Sequence, residues 1–260
     1  MPPPKRLLII AGSDSSGGAG IQADIKTAGA FGVYAMTAIT AVTAQNTKTV
    51  SKIHLIPAEI VAAQISACLS DIGADAVKIG MLGSTNIVKA VAAVLEKHAR
   101  KIPIVLDPVM VSTSGKPLLP ANAIGALTKY LLPLVTLVTP NLPETKVLTG
   151  MKNAEKAGRK LIDMGARAAL IKGGHSTKET IDDMLVWEHG VDVYAFPRIK
   201  TRHTHGTGCT LSTAIACGLA KGQPLPLAVA RAREFLQKAI ETAPGLGKGR
   251  GPLNHLQQEK

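Results

Sequence analysis

The sequence has 260 residues, of which 46% are hydrophobic, and this is enough chain to bury one large core. Only 3% of the residues are aromatic, so aliphatic side chains must fill that core, which favours helices packed on a sheet over an aromatic-rich sandwich. The net charge of +12 is spread along the chain without a basic stripe interleaved with aromatic residues, which disfavours a nucleic-acid partner and remains compatible with a small anionic ligand.

Targeting and cysteine patterns predict a cytoplasmic protein. The apolar run at residues 7–10 is too short for the core of a signal peptide, and no stretch approaches the ~18–20 apolar residues of a membrane span. The three cysteines, Cys68, Cys209 and Cys217, form no CxxC pair and are odd in number, which disfavours a disulfide or zinc framework. We therefore expect a reducing compartment and no membrane partner.

Apolar, strand-like runs alternate with helix-like stretches through the first half of the chain. The first strand is predicted at 6–12, and a glycine-rich loop and a helix at 21–31 follow it. Further strands are predicted at 34–45, 48–56 and 74–80, and further helices at 57–73 and 85–100.

The second half continues the alternation and ends in a hairpin and two helices. Strands are predicted at 102–108, 135–140 and 167–174, helices at 120–132, 141–150 and 153–165, a hairpin across 183–196, and closing helices at about 207–221 and 224–242. This order implies a mostly parallel sheet with helices on both faces. No repeat or linker divides the chain, so we predict one domain over 1–260, with a loose Gly-, Pro- and Lys-rich tail over about 244–260.

In such sheets ligands bind at the carboxyl ends of the strands, so the loop after the first strand is a candidate site. Residues 11–20 read AGSDSSGGAG, and such small residues suit a close approach of backbone to a ligand. Taken alone, Asp14 is equally interpretable as a local cap, and Asp24 as a favourable charge in the first turn of the next helix.

The same loop resembles a dinucleotide-binding fingerprint but lacks one part of it. Residues 18–23 match GxGxxA between a strand and a helix, yet the fingerprint also needs an acid about 20 residues further on to hold a ribose. No Asp or Glu occurs between Asp24 and Glu59, and Gln45 stands near the end of the second strand instead. An amide offers both a donor and an acceptor, which suits the edge of a heteroaromatic ring better than a diol.

A second glycine-rich turn precedes the helix predicted at 207–221. Gly206, Thr207 and Gly208 lead directly into it, and unpaired N–H groups at such a helix start favour an anion. No Asp or Glu occurs from 193 to 233, which agrees with that interpretation. Cys209 lies in the first helical turn, where the dipole is expected to lower the pKa of a thiol and allow it to act as a base; the alternative is a small buried cysteine.

Oxygen ligands follow two neighbouring strands of the predicted sheet. Asp107 ends a strand at LDP, and Asn141 and Glu144 follow the next strand in TPNLPET. Carboxylates together with phosphate and water suit magnesium. Lys172 ends another strand before two glycines, where it could contact phosphate. Each residue alone has a structural explanation, as a turn former, a first-turn charge or a solvated edge, but together they favour phosphoryl transfer.

Seven motifs in order resemble one known family. They are AGSDSSGGAGIQADIKT, AVTAQNT, VKIGML, VLDPVM, TPNLPE, IKGGH and THGTGCTLS, and they run from the first strand to the final helices. They resemble the hydroxymethylpyrimidine/phosphomethylpyrimidine kinases of thiamine biosynthesis, which belong to the ribokinase-like superfamily. The resemblance implies ATP-dependent phosphorylation of 4-amino-5-hydroxymethyl-2-methylpyrimidine, and then of its monophosphate to the pyrophosphate, with magnesium.

The resemblance also implies roles for individual residues. Those expected at the aminopyrimidine are Gly12, Asp24, Gln45 and Met81; those expected at ATP are Asn141, Lys172, Thr207 and Gly208; the expected magnesium ligands are Asp107 and Glu144. Gly206, Thr207 and Gly208 would form the anion hole beside Cys209. Many sugar kinases of the superfamily end this turn in GAGD, whereas this chain has GTGC, so a thiol stands where those enzymes have an aspartate base.

Two alternative functions are compatible with the same residues, and the resemblance also implies an oligomeric state. A pyridoxal or pyridoxine kinase of the same superfamily would act on a similar hydroxymethylated ring. A non-catalytic nucleotide or nucleic-acid binder would use the positive charge, but Asp107 and Glu144 are useful beside phosphate mainly with a metal. The extended segment near 34–56 resembles the lid or dimer-contact region of the family, which implies a homodimer.

Overall fold

Nine strands and eight α-helices alternate along the part of the chain that this computed structural model describes, residues 3–99, 101–112, 114–175 and 179–256. The strands are β1 (Arg6–Asp14), β2 (Tyr34–Gln45), β3 (Val50–Leu55), β4 (Ala76–Ile79), β5 (Ile104–Leu106), β6 (Leu137–Val138), β7 (Ala169–Ile171), β8 (Thr180–Trp187) and β9 (Gly190–Pro197). The helices are α1 (Gly20–Ala30), α2 (Ala58–Asp71), α3 (Thr85–His98), α4 (Ala121–Ala126), α5 (Leu142–Thr149), α6 (Ala154–Asp163), α7 (Thr207–Ala220) and α8 (Leu225–Glu241).

One sheet contains all of these strands, in the order β3-β2-β1-β4-β5-β6-β7-β8-β9. The strands from β2 to β7 in that order pair in parallel, while β3 at one edge and β8 and β9 at the other pair antiparallel. The predicted α/β fold with a mostly parallel sheet is confirmed. The strands β5 and β6 are shorter than the apolar runs that predicted them, and the remaining residues of those runs lie in the connections on either side of each strand.

Both faces of the sheet are covered by helices, and β1 shows why. Its apolar run alternates between faces, as side chains of a strand must. Leu8 and Ile10 pack into a core with α2 and α3, whereas Leu7 and Ile9 pack into a second core with α1, α7 and α8. A strand buried on both faces has no polar alternation, which is why it reads as a continuous apolar run.

The prediction of a loose tail from about residue 244 is wrong for residues 251–255, which pack on the fold, whereas residues 244–248 and Leu256 are exposed. Leu253 and His255 are only 4% and 6% exposed, and His255 Nε2 lies 2.8 Å from Thr210 Oγ1 in α7. Glycine allows this packing, because a side chain at Gly249 or Gly251 would collide with Thr47 or His203. Residues 257–260 of the predicted tail lie outside the described residues.

The helix predicted at 120–132 changes character along its length. After α4 the chain forms a π-helical turn, Leu127–Leu131, and then a 3₁₀ turn, Leu132–Leu134, at the proline. In the part of the chain that the structure describes, no helix is long and apolar enough to cross a bilayer.

Candidate active site

A cavity of about 740 Å³ opens where the carboxyl ends of the parallel strands meet the N-terminus of α7. Every site residue predicted from the sequence lines it, except Asp24. Gln45 at the end of β2 and Cys209 in α7 are 164 residues apart in sequence, counted from their numbers, yet both face this cavity. The expectation of one shared cavity is therefore confirmed.

Gly12 and Met81 together line one part of the cavity. The β1–β2 register shifts between Ala11 and Ser13, so Gly12 lies at an irregularity in the strand pairing. A Cβ atom at Gly12 would lie 3.1 Å from Met81 Sδ and 3.7 Å from the Ala41 carbonyl oxygen. Glycine at 12 keeps the cavity wall beside Met81 free of a side chain, and this part of the cavity is called the slot below.

Asp24 does not face the cavity, which corrects the expectation that it meets a substrate. Its side chain is fully buried, and it accepts hydrogen bonds of 2.7 Å from Lys78 Nζ and of 2.7 Å from Thr213 Oγ1. Lys78 is also fully buried but lines the cavity. Burial favours the neutral amine, but the Asp24 carboxylate outweighs this and raises the pKa of Lys78, so the lysine stays charged.

The loop after β1 is folded around a second buried pair. Asp14 Oδ2 lies 2.7 Å from His205 Nε2 and accepts hydrogen bonds from the backbone of Gly18 and Ala19. Gln45 Nε2 lies 3.3 Å from the same His205 nitrogen. Although burial acts in the opposite direction, hydrogen bonds from His205 and from Ser16 hold the pKa of Asp14 below its usual value.

Asp107 and Lys172 form a charged pair beneath the N-terminus of α7. Lys172 Nζ donates a 2.7 Å hydrogen bond to Asp107 Oδ1, and Asp107 is 2% exposed. A Cβ atom at Gly208 would lie 3.2 Å from Asp107 Oδ2 and 3.3 Å from Lys172 Nζ. Glycine at 208 therefore lets the first turn of α7 sit directly on the pair.

Asn141 and Glu144 start α5 in a reciprocal capping box. Asn141 Oδ1 accepts a 2.9 Å hydrogen bond from the Glu144 backbone, and Glu144 Oε2 accepts one of 2.8 Å from the Asn141 backbone. Burial raises the pKa of Glu144 to about 7; Lys172 opposes this shift and Asp107 adds to it. Glu144 therefore holds a proton more readily than a surface glutamate does.

The start of α7 presents backbone donors to the cavity. Gly206 caps the helix with φ of 88°, in the left-handed region, and a Cβ atom there would collide with the carbonyl oxygen of Gly18. The next residues, Thr207, Gly208 and Cys209, are the first three of the helix, whose N–H groups have no intrahelical acceptor. All of them line the cavity, as predicted.

The expected low pKa of Cys209 is wrong in this structure. Burial raises the pKa of its thiol to about 11, against the opposing charge of Lys78 and a hydrogen bond from the Gly20 backbone, while Asp24 and Asp107 raise it further. The helix dipole is therefore outweighed by desolvation and by two nearby carboxylates. The thiol of the free protein is neutral at pH 7.

Several residues that line the cavity were not predicted from the sequence. Lys78 had one sequence signal that could have identified it, since a lysine inside an otherwise apolar strand is costly unless it is paired. Arg233 carried none: it lies in α8, is 3% exposed, and its Nε lies 3.1 Å from Asp183 Oδ2. Asp183 also accepts a 2.7 Å hydrogen bond from the Gly173 backbone, beside Lys172, so this pair supports the loop after β7.

The oxygen donors fit a magnesium ion that is shared with phosphate. Asp107 Oδ2 faces the first turn of α7, and Asp107 and Glu144 both border Lys172. No group of three or more His, Cys, Asp or Glu residues in the described ranges forms a closed metal cage. Two carboxylates in an open cavity are what magnesium needs when phosphate and water supply its other ligands.

The fold and the cavity together are those of an α/β small-molecule kinase, in which the glycine-rich start of α7 and the slot at Gly12 and Met81 share one cavity. The chain belongs to the phosphomethylpyrimidine kinase family, because the model of the family with that description matches residues 14–254.

Curated relatives agree with this family. The chain is 48% identical over 259 residues to the hydroxymethylpyrimidine/phosphomethylpyrimidine kinase of Rhizobium meliloti, with 96% of each protein covered. It is 46% identical to the thiamine biosynthesis bifunctional protein ThiED of Geobacter sulfurreducens, of which it spans 52%, or about half the length.

The solved structures with similar folds are named for two different activities. A Bacillus subtilis pyridoxal kinase in complex with ADP has a TM-score of 0.89 and 36% identity, covering 97% of this chain and 98% of its own. A phosphomethylpyrimidine kinase from Clostridium difficile has a TM-score of 0.81 and 42% identity, covering 91% and 99%. The ribokinase-like fold implied by the motifs is confirmed.

Proposed function

We propose that this protein transfers the terminal phosphoryl group of ATP to 4-amino-5-hydroxymethyl-2-methylpyrimidine, and then to the resulting monophosphate, in thiamine biosynthesis. One observation carries the proposal: a single cavity holds a slot for a flat ring, at Gly12, Met81 and Gln45, beside the phosphate-binding start of α7. The amide of Gln45 can pair with a ring nitrogen and an exocyclic amine, which a sugar does not offer.

The residues around the slot and the helix start divide the work of the reaction. The N–H groups of Thr207, Gly208 and Cys209 bind the phosphoryl group while it is being transferred. Lys172 and Asn141 hold the nucleotide phosphates. Cys209 lies in the first turn of α7, lines the cavity and is near enough to Lys78 to feel its charge, so it can meet the acceptor hydroxyl. Asp24 acts through Lys78, which it keeps charged at the cavity wall. Phosphoryl transfer depends mainly on such positioning and charge stabilisation.

Asp107 and Glu144 would hold magnesium, with Glu144 bound directly or through water. When bound, this ion would neutralise negative charge on the nucleotide phosphates. Glu144 must lose its proton to bind the ion, so its raised pKa, about 7, makes ion binding dependent on pH. Lys172 can then be released from Asp107 to the phosphates.

The activity is tested with purified protein, ATP, magnesium and the hydroxymethylpyrimidine, with products separated by chromatography. We expect the monophosphate first and the pyrophosphate later. The Asp107→Asn variant is the control, because it removes a proposed ion ligand while keeping the shape of the side chain. Formation of neither product by the folded wild-type protein would overturn the proposal.

A pyridoxal kinase is the second candidate function, since solved pyridoxal kinases share 34–36% identity with the chain and cover 97% of it. The two functions are separated by comparing kcat/KM for pyridoxal and for the hydroxymethylpyrimidine in one preparation. We expect the aminopyrimidine to be preferred, because Gln45 matches its ring edge. A higher kcat/KM for pyridoxal would assign the second function instead.

We also propose a homodimer formed through the edge of the sheet. Three apolar side chains there are exposed, Tyr34 by 51%, Val42 by 46% and Leu55 by 38%, all on β2 and β3. Light scattering after gel filtration tests this, with Val42→Glu expected to yield monomers. The three cysteines are free thiols, which supports a reducing, cytoplasmic location.

A further inference from the structure

The segment Leu246–His255, the C-terminal segment below, holds Arg250 at the mouth of the cavity. The Arg250 backbone N–H donates a 2.9 Å hydrogen bond to the Thr47 carbonyl oxygen after β2. On the other side, the Gly251 carbonyl oxygen accepts a 3.1 Å hydrogen bond from the His205 backbone. The backbone at 250 is thus fixed between the β2–β3 turn and the loop that leads into α7.

The Arg250 side chain stands where two cavities meet. It lines the main cavity and also an adjoining cavity of about 270 Å³, which is bordered by Gln45, Lys48 and His205. Its charge reaches the loop after β7: besides burial and Lys172, Arg250 lowers the pKa of His175. Arg250 is therefore close to the phosphate-binding side as well as to the ring slot.

Arg250 differs from Lys78 and Lys172, two other cations of the cavity, in lacking an acidic partner in the described ranges. Lys78 pairs with Asp24, and Lys172 pairs with Asp107. In the described ranges, no carboxylate lies within ion-pair distance of the Arg250 guanidinium, and its side chain is exposed at the cavity mouth. A guanidinium with no partner can form a paired hydrogen bond with a phosphate without first breaking an ion pair.

The two phosphoryl transfers differ in how much negative charge enters the cavity. In the first, the acceptor is a neutral alcohol; in the second, it already carries a phosphate of about −1.5 to −2 charges at pH 7. ATP and its phosphates are the same in both. The second transfer therefore needs more positive charge near the acceptor than the first.

We propose that Arg250 binds the phosphate already present on the monophosphate substrate and so favours the second phosphoryl transfer over the first. Arg250 is then a specificity-determining residue, supplied by the C-terminal segment. This inference rests on the proposed two-step kinase function. In the reaction the monophosphate oxygen attacks the terminal phosphorus of ATP, the bond from that phosphorus to ADP breaks, and Arg250 only neutralises charge.

The test compares Arg250→Ala with wild-type protein on each acceptor separately, under saturating ATP and magnesium. We expect kcat/KM for the monophosphate to fall about 10- to 100-fold, the range for losing a hydrogen bond to a charged group, and kcat/KM for the hydroxymethylpyrimidine to change less than about threefold. Arg250→Lys is expected to recover part of the loss, because it restores charge without the planar fork.

Lys248→Ala is the matched control, because it removes one positive charge from the same segment at a position that lines neither cavity. Equal losses on both acceptors for Arg250→Ala, no loss on either, or the same selective loss for Lys248→Ala would each overturn the inference. Wild-type protein that phosphorylates neither acceptor would instead overturn the proposed function. Melting curves of the variants verify that each is folded.

Discussion

Cys209 has a thiol whose pKa is raised to about 11, and this sets the pH dependence expected if it takes the acceptor proton. We expect Cys209→Ala to lower kcat by about 100-fold, the usual contribution of a positioned base, while the KM for ATP changes little. Below a pKa of 11 the thiolate fraction rises tenfold per pH unit. Wild-type kcat should therefore rise between pH 8 and 10, measured by initial rates.

Cys209→Ser is the control for that profile, because a serine hydroxyl does not ionise in the same range. We expect its kcat to be low and flat with pH. If the alanine variant keeps the kcat of the wild type, Cys209 has no part in the chemistry. An alkaline rise that persists in the serine variant would assign the titration to another group.

The raised pKa of Glu144 predicts how the stability of the fold depends on pH. This pKa is about 7 in the folded protein, against an ordinary value of 4.5. An acid with a raised folded pKa stabilises the fold fully below pH 4.5 and loses that contribution as pH rises through 7. Relative to wild type, Glu144→Gln should gain about 1–3 kcal/mol of unfolding free energy between pH 4 and pH 8. Urea unfolding at both pH values measures this difference.

Glu155→Gln is the comparison for Glu144, since the Glu155 side chain is 54% exposed at the start of α6. Its stability should follow wild type within about 0.5 kcal/mol at both pH values. A Glu144→Gln curve parallel to wild type from pH 4 to pH 8 would contradict the raised pKa. The same variant is expected to lose kinase activity, because the amide is a poor ion ligand.

The conformation at the start of α7 depends on one glycine, so a substitution there tests whether the position of this helix matters for activity. Gly206→Ala places a Cβ against the Gly18 carbonyl oxygen and strains a residue with φ of 88°. We expect the N–H groups of the first turn to move away from the phosphoryl position. The kcat should fall by at least about 100-fold, as when an oxyanion-binding donor is lost.

The other end of α7 supplies a matched control for that glycine. Gly222 also has a positive φ, of 78°, but no atom lies within 4 Å of the position of an added Cβ. Gly222→Ala should therefore cost about 1 kcal/mol of stability through backbone strain alone and leave kcat unchanged. Equal loss of activity in the two variants would show that α7 matters only for folding.

At the scale of the whole molecule, the C-terminal segment holds distant parts of the fold together, because it links the loop after β1 to α7. Leu253 is 4% exposed in the core of α7 and α8, and Pro252 pairs with His205. Leu253→Ala should lower the unfolding free energy by about 2–5 kcal/mol, measured by urea unfolding. Because His205 holds Asp14 and Gln45, the KM for the pyrimidine should also rise.

Leu256→Ala is the matched control for Leu253→Ala, because Leu256 lies three residues further along the chain and is 94% exposed. Leu256→Ala should change stability by less than about 0.5 kcal/mol. If both leucine variants behave alike, residues 246–255 do not pack on the fold in solution. That result would also remove the basis for the position of Arg250.

The alternation of strands and helices could be predicted from the residues alone, because apolar periodicity and glycine or proline boundaries are local properties. The sequence also indicated the cavity residues that follow strands, such as Asp107, Asn141 and Lys172, since parallel strands bring their carboxyl ends to one edge. The order of the motifs was enough to indicate the family. The prediction of a loose tail was wrong at residues 251–255, because a glycine-rich segment permits packing as well as disorder.

The pairing of charged side chains and the burial around them depend on the folded chain and could not be predicted from local sequence. Asp24 and Lys78 are far apart in sequence, and nothing local shows that their ion pair removes Asp24 from the cavity. The same holds for Cys209, where the helix dipole predicted a low pKa and desolvation by distant elements raised it. Arg250 reaches the cavity only because its segment folds back. Ionisation and pairing depend on neighbours in space, and the fold alone sets those.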